Sequence, residues 1–181
     1  PGGKTLIAGQ MQQGQGRLIA MDLHPFKCRQ LEETGKRMGL EQLSVRSWDS
    51  TTAASDLLAQ ADKVICDVPC SGLGILRKKA DIRFKKEEEL SDLPQIQGKI
   101  LEAAASYCRP GGRLVYSTCT ILPKENQQVV EAFLKQNKEF SFCPLVLPGD
   151  MGAEEGYRTF YPHKDGTDGF FIACLRRNQE P

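Results

Sequence analysis

The sequence predicts an α/β fold in which helices cover both faces of a doubly wound, mostly parallel sheet, so that the domain has three layers. Short apolar segments alternate with helical patterns, and several of these segments end in a polar residue. The last apolar segment follows no long helix, which predicts an antiparallel C-terminal strand. Ligands of such sheets bind at the carboxyl ends of the strands, so the residues there are the first candidates for a site.

The first part of the chain alternates helix and strand, with glycine and proline at the boundaries. The predicted elements are, in order, a helix over 6–13 after the Gly2-Gly3 turn, a strand over 17–21 that ends at Asp22, a helix over 25–38 stopped by Gly39, a strand over 43–48 closing on Asp49, a short helix over 53–60 and a buried strand over 63–68.

The second part continues the alternation and then changes character. A helix over 94–108 stops at Pro110-Gly111-Gly112, a strand covers 113–118, and a helix over 123–136 carries a proline in its first turn. Segments 140–145 and 169–175, separated by a glycine-rich loop, predict an antiparallel pair.

Composition bounds the class of protein. The chain has 181 residues, of which 40% are hydrophobic and 26% charged, and this is the size and balance of one globular domain over residues 1–181. Its apolar runs are far shorter than the roughly 20 residues that a membrane helix requires. Seven cysteines without a CxxC pair, together with two histidines, argue against a metal site or a disulfide framework. They predict a reducing, cytoplasmic location.

Charge gives a local signal only. The net charge of +1 does not indicate nucleic-acid binding. Six cations nevertheless fall within residues 77–86, which we interpret as candidate phosphate contacts. The alternative is a solvated loop neutralised by Asp81 and by the glutamates at 87–89.

Two carboxylates fit a nucleoside-binding pattern. A Gly2-Gly3 turn lets the backbone approach a ligand, and Asp22 after the next strand can bind two ribose hydroxyls. Asp49 can accept a hydrogen bond from an adenine amino group beside the apolar face of Trp48. A structural turn and a helix cap explain these residues equally well. The absence of GxGxxG argues against a dinucleotide.

Two cysteine motifs carry the strongest signal. Asp67-Val68-Pro69-Cys70-Ser71-Gly72 brings a carboxylate and a thiol to the end of a strand, and Ser117-Thr118-Cys119-Thr120 brings a second thiol to the end of another. The helix predicted from Pro123 would favour a thiolate through its dipole. Two thiols in one cleft without metal spacing predict covalent catalysis. The alternative is a turn with a core cysteine, as we interpret the other five cysteines.

These motifs occur in a recognisable order: PGGKT, the acid Asp22, DVPCSG, STCT with the following Glu125-Asn126, and the terminal DGFFIACL. In this combination the chain resembles the NOL/NOP/Sun family of RNA cytosine-5 methyltransferases, and within it the bacterial 16S ribosomal RNA enzymes of the Sun or Fmu type. The resemblance implies a Rossmann-like class I methyltransferase fold, S-adenosylmethionine as cofactor, and RNA, specifically small-subunit ribosomal RNA, as partner. It indicates no metal, no membrane and no particular oligomeric state.

The resemblance also implies roles for individual residues. Cys119 would be the nucleophile, Cys70 would assist the breakdown of the covalent product, and Asp67 would line the site of the methyl donor and the base. The residues implied to hold the cofactor are Pro1, Gly2, Gly3 and Lys4 at its methionine end, Asp22 at its ribose and Asp49 at its adenine. Family members carry a further strand before the position of Pro1, so we expect a catalytic domain truncated at its N-terminus.

Other functions stay open at this point. A DNA cytosine-5 methyltransferase would use Cys70 as nucleophile, against which the STCT motif argues. Methylation of tRNA or of another RNA, a non-catalytic RNA-binding fragment and a nicotinamide-dependent oxidoreductase are the remaining alternatives.

Overall fold

The computed structural model describes residues 1–147 and 153–179, and it divides into two compact units, Pro1–Ser50 and Thr51–Pro181. The first unit contains helix α1 (Gly3–Met11), strand β1 (Leu18–Asp22), helix α2 (Pro25–Arg37) and strand β2 (Leu43–Ser47). The regular elements of the second unit are β3 (Ala61–Asp67), α3 (Leu93–Tyr107), β4 (Cys108–Thr118), α4 (Gln127–Gln136), β5 (Phe140–Phe142), β6 (Pro144–Val146), β7 (Ala153–Glu155), β8 (Tyr157–Phe160), α5 (Pro162–Asp165) and β9 (Phe170–Arg177). The predicted glycine-rich loop falls partly outside the described residues.

In the first unit, β1 and β2 form a parallel pair in which Leu18 is opposite Leu43 and Asp22 is opposite Ser47. Helix α1 begins at Gly3, three residues earlier than the sequence predicts. Gly2 has a φ of 84° and accepts the Leu6 N–H through its carbonyl at 2.9 Å, so the left-handed glycine itself starts the helix. No side-chain cap marks this start.

In the second unit, hydrogen bonds link the strands in the order β3-β4-β9-β5, and β8 also pairs with β9. Strands β3 and β4 are parallel, whereas β9 is antiparallel to β4, β5 and β8. The α/β alternation, the antiparallel C-terminal strand and its pairing with the segment from Phe140 are therefore confirmed. The β8–β9 pairing and the antiparallel pairing of β6 with β7 are additional.

The main core of this unit lies between the sheet and helices α3 and α4, where Leu101, Tyr116, Val130 and Phe171 are completely buried. On the other face of β9, Cys174 packs in a smaller cluster. The period of two along a strand explains why Phe171 and Cys174 face opposite ways.

Strand β3 is less buried than the sequence predicts. Ile65 is 54% exposed, and within the strand only Cys66 is buried. The prediction of a buried strand is wrong for most of its length, because β3 is the last strand of this ladder and only the face that carries Val64 and Cys66 packs into the core.

Strand β4 begins directly after α3 rather than at Arg113. Ala61 is opposite Cys108, but Lys63 is opposite Arg113, so residues 109–112 form a bulge that contains Gly111 at a φ of 79°. The predicted helix over 53–60 is a single 3₁₀ turn, Ser55–Leu57.

The helix predicted over 123–136 is interrupted. Residues Pro123–Glu125 form a 3₁₀ turn, Asn126 leaves the helical conformation with φ −112° and ψ −110°, and α4 begins at Gln127. No helix in the described parts of the chain is long and apolar enough to cross a membrane.

Candidate active site

Two parallel neighbours, β3 and β4, deliver both cysteine motifs to one edge of the sheet. Asp67 at the end of β3 is opposite Ser117, and the Ser117 hydroxyl donates a hydrogen bond to Asp67 Oδ1 at 2.9 Å. The Val68 N–H donates to the Ser117 carbonyl at 3.3 Å and so extends the pairing into the following loop. The loops that carry Cys70 and Cys119 therefore leave the sheet side by side.

The two thiols meet at this edge. Cys70 Sγ lies 3.2 Å from Cys119 Sγ, and the Cys119 N–H donates to Cys70 Sγ at 3.3 Å. Both side chains are partly exposed. The structure thus brings together three residues that the sequence singled out, Asp67, Cys70 and Cys119.

The pKa values of the two thiols are shifted in opposite directions. The hydrogen bond from Cys70 is the main cause that lowers the pKa of Cys119 to about 7, and the positive charge of Lys79 acts in the same direction, while burial and Asp67 oppose it. The same hydrogen bond, together with burial and the charge of Cys119, raises the pKa of Cys70 far above its ordinary value. Cys119 is therefore the member of the pair that ionises, with about half of it present as thiolate at pH 7, while Cys70 keeps its proton.

The cause of this ionisation differs from the sequence prediction. The expected helix dipole from Pro123 is not available, since Pro123–Glu125 is only a 3₁₀ turn and α4 begins at Gln127. The thiolate is stabilised by the neighbouring thiol instead.

The other five cysteines are buried. Burial raises the pKa of Cys66 to about 12 and that of Cys108 to about 11, so both stay protonated. Cys143 and Cys174 lie with their Sγ atoms 2.9 Å apart in the second cluster, and burial, followed by the hydrogen bond with Cys143, raises the pKa of Cys174 to about 12. These features agree with packing roles.

Glycines allow a third loop to approach the thiols. The Gly74 N–H donates to the Cys119 carbonyl at 3.0 Å, and the Gly74 carbonyl accepts the Gly169 N–H at 2.8 Å. A Cβ atom at Gly74 would collide with the Gly169 carbonyl oxygen. The terminal DGFFIACL motif therefore supports the Cys119 loop through backbone contacts, a role that the sequence alone did not indicate.

Two cations of the loop over residues 77–86 contact the beginning of the same motif. Asp168, whose side chain is only 10% exposed, lies 2.6 Å from Lys78 Nζ and 3.7 Å from an Arg77 guanidinium nitrogen. Arg77 also donates to the Thr167 carbonyl at 2.9 Å. Two of the six cations are therefore held in structural ion pairs. The expectation that they contact phosphate is weakened accordingly.

The remainder of this loop presents an aromatic ring. Phe84 is 76% exposed, and the guanidinium carbon of Arg83 lies 5.7 Å from the centre of its ring. Lys85 instead turns towards the cysteine loop and donates to the Ser71 carbonyl at 3.1 Å.

All predicted cofactor residues except Asp67, which belongs to the second unit, lie in the first unit. Gly2 precedes α1, and a side chain there would collide with Leu31, so the turn requires glycine. Pro1, Gly3 and Lys4 are exposed around it.

Asp22 and Asp49 lie at the ends of the paired strands β1 and β2. The Asp22 side chain is 38% exposed, and its Oδ1 atom accepts the His24 N–H at 2.9 Å. The Trp48 N–H donates to the Asp22 carbonyl at 3.0 Å and so brings the Trp48-Asp49 segment to the same edge. Lys27 is a distant partner of Asp22, at 3.9 Å.

Comparison with known proteins gives a consistent family. A family model described as 16S rRNA methyltransferase RsmB/F matches residues 1–176. The probable ribosomal RNA small subunit methyltransferase B of Bacillus subtilis is 34% identical over 184 residues, which cover 98% of this chain and 41% of that protein. The tRNA (cytosine(72)-C(5))-methyltransferase of Pyrococcus horikoshii is 34% identical over 177 residues, covering 98% and 45%.

A solved structure, described as NSun6 from Pyrococcus horikoshii with SFG, matches with a TM-score of 0.82 at 32% identity, covering 99% of this chain and 46% of that one. The fold is therefore the Rossmann-like fold of class I S-adenosylmethionine-dependent methyltransferases, as predicted. The chain belongs to the 16S rRNA methyltransferase RsmB/F family, which confirms the resemblance to the NOL/NOP/Sun enzymes. It spans less than half the length of these relatives.

Proposed function

We propose that this chain is the catalytic domain, over residues 1–181, of an enzyme that transfers a methyl group from S-adenosylmethionine to carbon 5 of a cytosine in RNA. The observation that carries the proposal is the thiol pair beside Asp67, with Cys119 as thiolate and Cys70 as thiol. Membership of the RsmB/F family supports the same reaction.

The reaction needs a nucleophile because carbon 5 of cytosine is too weakly nucleophilic to attack a sulfonium methyl group. The Cys119 thiolate adds to carbon 6, which forms a carbon–sulfur bond and turns the ring into an enamine. Carbon 5 would then bond to the methyl carbon while the bond from that carbon to the sulfonium sulfur breaks, so that S-adenosylhomocysteine is the leaving group. A base removes the carbon-5 proton, the double bond between carbons 5 and 6 is restored, and Cys119 leaves as thiolate.

The neighbours of Cys119 would act in both the first and the last step of this reaction. When Cys119 is ionised, the Cys70 thiol is the donor of the hydrogen bond between the two sulfur atoms, so it would stabilise the thiolate before addition and again when the thiolate is expelled. Asp67, whose Oδ1 atom accepts a hydrogen bond from Ser117, would bind the polar edge of the cytosine and stabilise the adduct. A base in structured RNA would have to be unstacked to reach these groups.

The residues of the first unit fit S-adenosylmethionine as cofactor. Gly2 provides a turn without a side chain, where Pro1, Gly3 and Lys4 would hold the methionine end, and the partly exposed Asp22 carboxylate is suited to two hydroxyl groups. Asp49 would bind the adenine. When bound, the cofactor supplies an electrophilic methyl group on its sulfonium. The related NSun6 structure was solved with SFG, an analogue of this cofactor.

Small-subunit ribosomal RNA is the proposed substrate, since the matching family model and the Bacillus relative carry that description. Transfer RNA is the second candidate, because the Pyrococcus relative acts on tRNA at comparable identity. The exposed Phe84 ring with the Arg83 guanidinium beside it would suit an unstacked base, and the exposed Lys79 of the same loop would suit a phosphate.

The test is methyl transfer from labelled S-adenosylmethionine by the full chain, with unmodified small-subunit RNA, tRNA and DNA as competing substrates. We expect label in 5-methylcytosine of ribosomal RNA, and none with Cys119→Ala. Label confined to tRNA would correct the substrate. If the protein binds both the cofactor and RNA but transfers no methyl group, the proposed catalytic function is wrong and the chain is an RNA-binding protein.

A further inference from the structure

Glu125 binds the loop that carries Cys70 through hydrogen bonds of its carboxyl group. The Glu125 side chain is completely buried, and its Oε2 atom accepts the Ser71 N–H at 2.8 Å. It also accepts a hydrogen bond from Gln97 Nε2 at 2.9 Å, and the same nitrogen donates to the Pro69 carbonyl at 2.9 Å. The residues on both sides of Cys70 are thus fixed through one carboxylate.

The loop that carries Cys119 is held by the next residue, Asn126. The Thr118 hydroxyl donates to Asn126 Oδ1 at 2.6 Å, and Asn126 Nδ2 donates to the Thr120 carbonyl at 3.0 Å. The residues on both sides of Cys119 are therefore bound to one amide. Asn126, Thr118 and Thr120 are completely buried.

The backbone fixes these two residues relative to each other and to the sheet. They are consecutive in the chain, and the break in the helix at Asn126 separates the 3₁₀ turn from α4. The buried Tyr116 hydroxyl, in β4, donates to the Glu125 carbonyl at 2.6 Å. A short, rigid segment therefore connects the two cysteine loops.

This arrangement leaves two buried acceptor atoms without a hydrogen bond among the described residues. Glu125 Oε1 and Gln97 Oε1 are both buried, and neither has a hydrogen-bond partner within the described parts of the chain. A buried acceptor without a partner destabilises a protein, so stability alone does not account for a carboxylate here. The hydrogen bond between Glu125 and the backbone of the Cys70 loop gives a reason for a carboxyl group at this position.

We propose that Glu125 and Asn126 form a positioning pair that holds the Cys70 thiol within hydrogen-bonding distance of Cys119. The inference rests on the proposed function for its biological meaning. Neither residue contacts a thiol in the hydrogen bonds described, so both act through the loops rather than on the substrate. Their loss should separate the two sulfur atoms and return the pKa of Cys119 towards its ordinary value of 9.0.

The experiment measures the ionisation of Cys119 in the full chain, independently of methyl transfer. The rate of Cys119 alkylation is followed against pH for Glu125→Ala and Asn126→Ala. We expect the midpoint to rise from about 7 by at least about one pH unit in both. Leu145→Ala is the control, since Leu145 is a buried residue of the smaller cluster on the other face of β9, which contains no residue of the two loops, and its midpoint should stay unchanged.

Milder variants cover the case in which an alanine variant does not fold. Glu125→Gln keeps an acceptor for the Ser71 N–H. Gln97→Met removes the hydrogen bonds to Glu125 and to the Pro69 carbonyl but leaves the one between Glu125 and Ser71. Both should give smaller upward shifts and lower kcat more than they change KM for RNA. Unchanged midpoints in the folded variants would overturn the positioning pair. Shifted midpoints in a protein that never methylates RNA would uphold it and reject the proposed function instead.

Discussion

Replacing Cys70 by alanine tests the electrostatic basis of the site. The hydrogen bond from Cys70 is the largest influence that lowers the pKa of Cys119 to about 7. Once it is removed, burial and the charge of Asp67 raise the pKa, while the backbone hydrogen bond at Cys119 and the charge of Lys79 oppose them with smaller effects. We therefore expect the pKa of Cys119 in Cys70→Ala to return at least to its ordinary value of 9.0.

The rate of alkylation follows from two opposing effects. At pH 7 a change in pKa from about 7 to about 9 reduces the thiolate fraction from about one half to about one hundredth, roughly fiftyfold. The more basic thiolate is intrinsically about eightfold more reactive, because nucleophilicity rises with pKa with a Brønsted coefficient of about 0.4–0.5. The net loss at pH 7 is therefore roughly sixfold. At pH 10, where both thiols are largely ionised, the order reverses and Cys70→Ala reacts several-fold faster.

Iodoacetamide alkylation between pH 5 and 10 provides the assay, with Cys119 quantified by mass spectrometry in the tryptic peptide 114–124. Because the thiolate is the reactive form, the wild-type rate should fall as the pH drops through about 7. Cys70→Ser is the control, since its hydroxyl can still donate to the thiolate and should keep the midpoint low. A Cys70→Ala profile that superimposes on the wild type would refute the assignment of Cys70 as the group that ionises Cys119.

Three further changes test other parts of the account. Asp22→Ala should weaken S-adenosylmethionine binding by about 1–3 kcal/mol in calorimetry and leave RNA affinity unchanged, and equal cofactor affinity would remove this residue from the site. Gly74→Ala should lower the free energy of unfolding by about 1–3 kcal/mol through backbone collision, whereas Gly98→Ala, where the added Cβ meets nothing within 4 Å, should be neutral or stabilising in the same urea titration. Lys79→Ala should reduce the slope of RNA affinity against salt by about 0.7–0.9, whereas Phe84→Ala should weaken binding by about 1–3 kcal/mol without changing the slope. If the slope of Lys79→Ala equals that of Phe84→Ala, Lys79 does not contact a phosphate and the RNA binds elsewhere.

The chemistry-bearing residues were predictable from sequence because they follow strand ends. β1 ends at Asp22 and β3 at Asp67, as predicted or within one residue, and parallel pairing of β3 with β4 explains why Cys70 and Cys119 meet across 49 positions. A local pattern is sufficient here, since each motif directly continues a strand.

The supporting contacts were not predictable in the same way. The apolar pattern of the helix over 123–136 runs through Asn126, so it conceals the break that turns Glu125 and Asn126 towards the two loops. The ion pairs of Asp168 with Arg77 and Lys78 join residues about ninety positions apart, and no local pattern indicates that partnership. Burial of β3 was overestimated because its place at the end of a ladder is a property of the sheet and not of the segment.

The most direct measurement of the central claim is covalent trapping on RNA that carries 5-fluorocytosine, in which the fluorine at carbon 5 cannot leave as a proton. In the presence of S-adenosylmethionine the protein should become linked to RNA, and digestion should place the link in peptide 114–124, at Cys119. Cys119→Ala should form no link, and Cys70→Ala should accumulate one even on unmodified RNA, because expulsion of the thiolate is slowed. A link in peptide 64–77, at Cys70, that persists in Cys119→Ala would contradict the account and make Cys70 the nucleophile.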